Sequence, residues 1–212
     1  MSPPPPRRKS RGLGRPKGSS GELTAARIIE AARTCFGARG FGATTNKEIG
    51  AAAQVTAAAI YRYFPSKLAL FEAVMRDAME ELERALRAAT VGCQGGRDEL
   101  VALMEAAAAL HEERPYLAAF LSSLPVEMRR HPEVASLLAV EPDAVSRLLA
   151  EAVSRAAARG ELAEGVDEDG VLAMVMACNI GLSLWVSAIE PGGSSGPTRS
   201  FARLLGGRLF KG

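Results

Sequence analysis

Between Thr45 and Phe64 this chain carries two helix starts separated by one interruption, a spacing that leaves few arrangements open. Thr45-Asn46-Lys47-Glu48 has the Ser/Thr-x-x-Glu form of a capping box, in which two side chains satisfy amides that a helix start leaves without partners. A short helix is predicted there, with Ile49, Ala52 and Ala53 facing inward. Gln54-Val55 interrupts it, and Thr56 offers a fresh N-cap for a second helix reaching about Phe64. Val55 and Ile60 flank that cap as a hydrophobic staple, which fixes how the chain enters the helix. Pro65-Ser66 then stops it and starts another. Two capped helices around a tight turn form a helix-turn-helix, whose second helix can enter a DNA major groove; a helical corner inside a core is the competing reading.

The segment before this motif, about Thr24 to Arg39, places Ile28, Ala32, Cys35 and Phe36 at helical spacing, with Thr24 as N-cap and Gly40 to end it. Residues 1–20 are rich in Pro, Gly, Ser and basic groups, cannot bury apolar surface, and are expected to be a disordered arm. Beyond the motif, helices are expected to break near Gly92 to Gly96, at Pro115, around Pro125 to Pro132, at Gly160 to Gly165 and at Pro191 to Pro197. No strand-like alternation competes. With 48% hydrophobic residues but only 5% aromatic, and recurrent alanine runs, the chain suits helices packed on small side chains. The expectation is an all-α fold of about nine helices. It divides into the basic arm (1–20), a three-helix head with the helix-turn-helix (21–67) and a larger helical domain (68–212).

Net charge is only +2, yet its distribution is uneven. Up to Lys67 there are 12 Lys and Arg against three acids, whereas the remainder holds 14 bases against 21 acids. The front of the chain therefore seeks a polyanion and the rest does not. Cys35, Cys93 and Cys178 form no C-x-x-C pair, and a reducing cytoplasm is the simplest inference. His111 and His131 have no ligand-spaced neighbours, so neither a metal nor another cofactor is expected. Nothing at the N-terminus has the apolar length of an export signal. Val171 to Ile189 lacks charge and is nominally long enough to span a membrane. Its acidic flanks and internal Asn179, Ser183 and Ser187 argue against that, and no membrane partner is expected.

Three stretches carry a family resemblance: Phe36-Gly37-Ala38-Arg39-Gly40-Phe41, Thr44-Thr45-Asn46-Lys47-Glu48-Ile49, and Ile60-Tyr61-Arg62-Tyr63-Phe64-Pro65-Ser66-Lys67. Over Thr24 to Leu70 the chain resembles the tetracycline-repressor (TetR) family of transcription regulators. The resemblance implies a homodimer that binds double-stranded operator DNA, most often as a repressor, and a C-terminal domain that binds a small-molecule effector. It implies that Thr45 and Lys67 hold phosphates, that Tyr61 meets the DNA backbone, and that Lys47 reaches a base or phosphate. Thr44, Asn46 and Tyr63 belong to the same expected surface, with Thr56, Ala57 and Ala58 toward the groove. Two departures matter. Ala57-Ala58-Ala59 replace polar readers with methyls, which can contact only apolar features such as thymine methyl, leaving specificity to Thr56, Lys47, Arg62 and DNA shape. Gln54 stands where the family usually has glycine, so a left-handed turn there carries strain.

In the arm, Gly14-Arg15-Pro16-Lys17 is similar to the core of an A·T hook, which points to Arg15 and Lys17 as minor-groove contacts. Leu13, where a hook prefers a base, makes the match partial. Small residues four apart, Ala173, Ala177 and Gly181, form a ridge over which another helix can approach closely. By resemblance the last two helices, about Asp167 to Ala188 and Pro197 to Phe210, make the dimer bundle, with Phe201 and Leu205 in it; burial within one subunit is the alternative. An effector pocket is expected among Met104, His111, Tyr116, Phe120, Met174, Asn179 and Trp185. An activator, or a constitutive DNA binder, would look the same in sequence. An enzyme in the helical domain is the other class, but no nucleophile elbow, phosphate loop or metal spacing supports it.

Overall fold

The computed structural model describes residues 17–138, 144–186 and 195–208. Among these residues the chain is all-α, with ten helices and no strand. They are α1 (Lys17–Ala43), α2 (Asn46–Ala53), α3 (Ala57–Tyr63), α4 (Lys67–Ala89), α5 (Gly96–Glu113), α6 (Pro115–Arg130), α7 (Pro132–Leu138), α8 (Ala144–Ala158), α9 (Glu168–Leu184) and α10 (Gly196–Leu205). Arg15 and the ends of the two expected dimer helices, Ala188 and Phe210 among them, lie outside the described residues.

Several boundaries depart from expectation. Helix α1 starts at Lys17, so Thr24 lies inside it and is not its N-cap. Gly40 does end the first helical run as expected, at φ 78° and ψ 173°, but a short further turn to Ala43 continues α1 beyond this kink. Pro125 does not interrupt α6, which continues to Arg130. A mid-helix proline forfeits one backbone hydrogen bond, but buried Leu124 and Glu127 on either side hold α6 against the rest of the protein, and packing overrides propensity. Ala52, expected inward, is exposed, while Gly50 is buried in its place. Glycine is required there: a Cβ at position 50 would lie 2.7 Å from the Val55 carbonyl oxygen.

Two apolar clusters hold the helices together. The first joins Ile28, Ala32 and Phe36 of α1 with Ile49 of α2, Ile60 of α3, Phe71 and Val74 of α4, and Leu117, Phe120 and Leu124 of α6. Its aromatic centre is Phe71, edge-on to Phe36 at 5.0 Å and to Phe41 at 5.2 Å between centroids. The second joins Leu86 of α4, Leu100, Leu103 and Met104 of α5, Leu148 and Val153 of α8, Val175 of α9 and Ala202 of α10. Long α4 passes through both clusters, so the N-terminal head is not a separate core but is fused to α4 and α6. A clasp fixes α10 to α5: Arg199 reaches Glu105 at 3.0 Å and Glu112 at 2.8 Å, and Glu112 also accepts from the Ser195 hydroxyl. Among the described residues no helix is long and apolar enough to cross a membrane.

Candidate nucleic-acid interface

The two short helices of the motif are built by local chemistry. Thr45 caps α2: its Oγ1 accepts from the Glu48 amide at 3.3 Å while the Thr45 amide donates to Glu48 Oε2 at 2.9 Å, so the capping box is complete. At the other end Gln54 is left-handed, with φ 55° and ψ 44°, and the Val55 amide turns back to the Gly50 carbonyl at 2.8 Å. Thr56 then caps α3 through the Ala59 amide at 3.1 Å. Ile60 is the buried residue of α3 and pins that helix to the first cluster, with Val55 packed beside it. Arg27 of α1 donates to the Ala53 carbonyl at 2.8 Å, closing the C-terminal end of α2.

With Ile60 inward, α3 turns Thr56, Ala58, Tyr61, Arg62 and Tyr63 outward, and Tyr61 is 54% exposed. Ala57 and Ala59 are half-buried. Lys47 on α2 and Arg62 on α3 are exposed and face no carboxylate among the described residues, whereas Arg33 and Arg39 of α1 are both paired with acids. Unpaired cations beside an exposed, polar-capped helix form a surface suited to phosphates. Glu48 adds little repulsion there, because Arg39 pairs with it. The Thr45 amide and hydroxyl, and Arg39, hold its carboxyl below the usual range.

Three other expected contacts, Lys67, Thr44 and Asn46, are partly or wholly buried. Lys67 Nζ lies half-buried and donates to the carbonyls of Phe41 at 2.8 Å, Gly42 at 3.3 Å and Thr44 at 3.1 Å, 4.5 Å above the Phe41 ring. An ammonium has three protons, so these carbonyls leave none for a phosphate, and the side chain ties α4 to the end of α1. Thr44 is buried, and its hydroxyl donates to the Gly40 carbonyl at 2.8 Å. Asn46 is nine-tenths buried at the start of α2. Lys17 opens α1. The sequence hid the fates of Thr44 and Lys67 because their partners are backbone carbonyls, which carry no residue signature. Arg39, beside Glu48 at the motif's edge, had no distinguishing signal either.

The residues expected around an effector are spread over α5, α6 and α9, with Trp185 directly after α9. Met104 is buried in the second cluster and Phe120 in the first, 5.3 Å from Phe71. Tyr116, Met174 and Trp185 are exposed. His111 Nδ1 faces the Ala107 carbonyl at 2.7 Å, which leaves Nε2 as the free ring nitrogen. That nitrogen and Asn179 Oδ1 are buried without a hydrogen-bond partner among the described residues, as is Thr198 Oγ1. On α9, the ridge residues Ala173, Ala177 and Gly181 are exposed together with Met174, Ile180, Leu184 and Trp185. This apolar face continues into an open groove of about 430 Å³ between α9 and α10, lined by Cys178, Gly181, Leu182, Ser200, Phe201 and Leu204. Leu205 packs on the second cluster.

A capped helix-turn-helix presented by an all-helical body defines a helical DNA-binding regulator. Residues 28–74 match the family model for bacterial regulatory proteins of the tetR family. Salmonella enterica GusR is 30% identical and superposes with a TM-score of 0.63 over 88% of this chain and 95% of its own. A transcriptional regulator from Saccharomonospora viridis, solved in complex with choline, is 19% identical, with a TM-score of 0.72 over 86% of this chain and 94% of its own. The fatty acid degradation regulator FadR from Bacillus halodurans is 17% identical, with a TM-score of 0.71 over the same shares. No curated protein sequence matches the chain. The chain belongs to the tetR family of bacterial regulatory proteins.

Proposed function

We propose that this regulator binds a pseudo-palindromic operator as a homodimer, acts as a repressor, and is released by a small-molecule effector. The carrying observation is the outward face of α3, where Thr56, Ala58, Tyr61, Arg62 and Tyr63 stand clear of the core beside unpaired Lys47. Thr56 and Ala58 face base edges, Tyr61 and Tyr63 the DNA backbone, and Lys47 and Arg62 the phosphates. Thr45 supplies its end of α2, and the arm with Arg15 lies along the adjacent minor groove. The functional division is a head of residues 21–67 and a body of 68–212.

Dimerisation by α9 and α10 is supported by their shared exposed apolar face, which a second copy would cover. An effector is supported by the buried, unpartnered atoms of His111, Asn179 and Thr198, since buried polar groups ordinarily have partners. Among structural relatives, Bacillus subtilis FadR was solved with stearoyl-CoA. Such a regulator works in the cytoplasm, on the nucleoid.

Footprinting on DNA flanking the chain's own gene tests the reading. The expected result is protection of two half-sites about one helical turn, or a multiple, apart. No preference over random duplex at moderate salt refutes it.

A further inference from the structure

A buried carboxylate joins α6 to the head at the point where α1 loses its helical hydrogen bonding. Gly40, at φ 78° and ψ 173°, takes the chain out of the helical ladder, and the amide of the next residue needs another acceptor. That residue, Phe41, is buried, and its amide donates to Glu127 Oε2 at 2.9 Å. Glu127 is only 5% exposed. Gly40 admits both the turn and the carboxylate, because a Cβ there would lie 2.5 Å from Glu127 Oε1. His131, one helical turn further on, stands 3.6 Å from Glu127 and edge-on to the Phe41 ring at 5.2 Å.

The bond has a short path into the DNA-binding surface. The Phe41 and Thr44 carbonyls are gripped by Lys67, the Thr44 hydroxyl donates to the Gly40 carbonyl, and the next residue is Thr45, the cap of α2. The stretch from Gly40 to Thr45 is thus braced on both sides. At its other end α6 begins beside Arg114, which pairs with Glu81 at 3.0 Å; Glu81 pairs in turn with buried Arg33 of α1 at 3.0 Å. Between these ends the backbones nearly touch: a Cβ on Gly37 would lie 3.1 Å from the Phe120 amide nitrogen. A single helix therefore runs from the body's charged corner to the start of the helix-turn-helix.

We propose that Glu127 is a positioning residue that fixes the register of α6 on α1, so that any movement of α6 is delivered to α2 and α3 through the Phe41 amide. The proposal deepens the reading of an effector-responsive regulator and rests on it. Leucine at position 127 would pack α6 on α1 without desolvating a charge. Apolar contacts, however, are non-directional and tolerate sliding, whereas a hydrogen bond to one particular amide is lost beyond about 3.5 Å.

The test uses the full-length protein without DNA or effector, so its outcome is independent of whether operator binding is found. Amide exchange is followed residue by residue, and nitroxides at Ala58→Cys and Glu151→Cys, in a background with Cys35, Cys93 and Cys178 replaced by serine, report the distance from head to body. Doubly labelled chains are diluted with unlabelled protein so that only distances within one chain are read. In Glu127→Ala the Phe41 amide is expected to exchange about ten- to a hundredfold faster, as loss of a charge-assisted bond implies. The distance distribution broadens, while the amides of Leu103 and Leu149 stay protected. Glu127→Gln, which keeps an acceptor oxygen, is expected to recover most of both effects. An unchanged distance distribution overturns the proposal, and so does loss of protection throughout both cores. Should Glu127→Ala not fold, the wild-type protein decides: a Phe41 amide exchanging as fast as that of exposed Gly42 overturns it.

Discussion

Lys67→Met separates two roles for a residue that the family resemblance places on DNA and the structure places inside the head. The lysine donates to three carbonyls, of which those of Phe41 and Thr44 are partly buried and that of Gly42 is exposed. Water replaces the lysine readily only at Gly42, so two bonds count. A hydrogen bond involving a charged group contributes about 1.5 kcal/mol at the low end of its range, so two contribute about 3 kcal/mol. Methionine keeps the apolar stem over Phe41 but leaves both carbonyls without a donor. For a chain of this size each kcal/mol shifts the melting temperature by about 2–4 °C, which gives a fall of about 6–12 °C. Thermal unfolding followed by circular dichroism at 222 nm measures it. A phosphate contact predicts the opposite pattern: little change in melting, and a salt dependence of DNA affinity shallower by about 0.9 in log–log slope. A melting temperature within 2 °C of wild type, together with that change of slope, would refute the strut.

Further expectations follow from the same geometry. Gln54→Gly relieves the left-handed strain of about 1 kcal/mol but gives back part of it through the greater freedom of the unfolded chain; a rise of roughly 1–2 °C in melting temperature is expected, and Gln54→Val should lower it. Because the Glu48 carboxyl is held below its ordinary value, its contribution is fully present above about pH 4.3 and is lost as pH falls through the lower, folded value. An acid titration of stability should therefore be flatter for Glu48→Gln than for wild type, and parallel curves would count against the capping box as the cause. Gly181 has open space around a built Cβ, so Gly181→Arg should leave the subunit folded and halve the mass seen by light scattering; an unchanged mass would place the dimer contact elsewhere. Lys47→Ala should reduce the log–log salt slope of DNA binding by about 0.9, and an unchanged slope would remove Lys47 from the phosphate contacts.

What the sequence determined by itself was mostly what neighbours in the chain govern. The caps at Thr45 and Thr56, the left-handed Gln54 and the breaks near Gly96, Pro115 and Pro132 were legible because each depends on atoms within a few residues. The amphipathic spacing of Ile28, Ala32 and Phe36 likewise announced a buried face before its partner was known. Tertiary structure decided the rest. Pro125 stays helical because α6 is clamped along its length against α1, an arrangement no local rule contains. Lys67 and Glu127 acquired their roles from backbone groups between 23 and 86 residues distant, brought close only when α1, α4 and α6 packed. A side chain's type states which bonds it is able to make; which of them it makes depends on what folding leaves within about 3 Å of it.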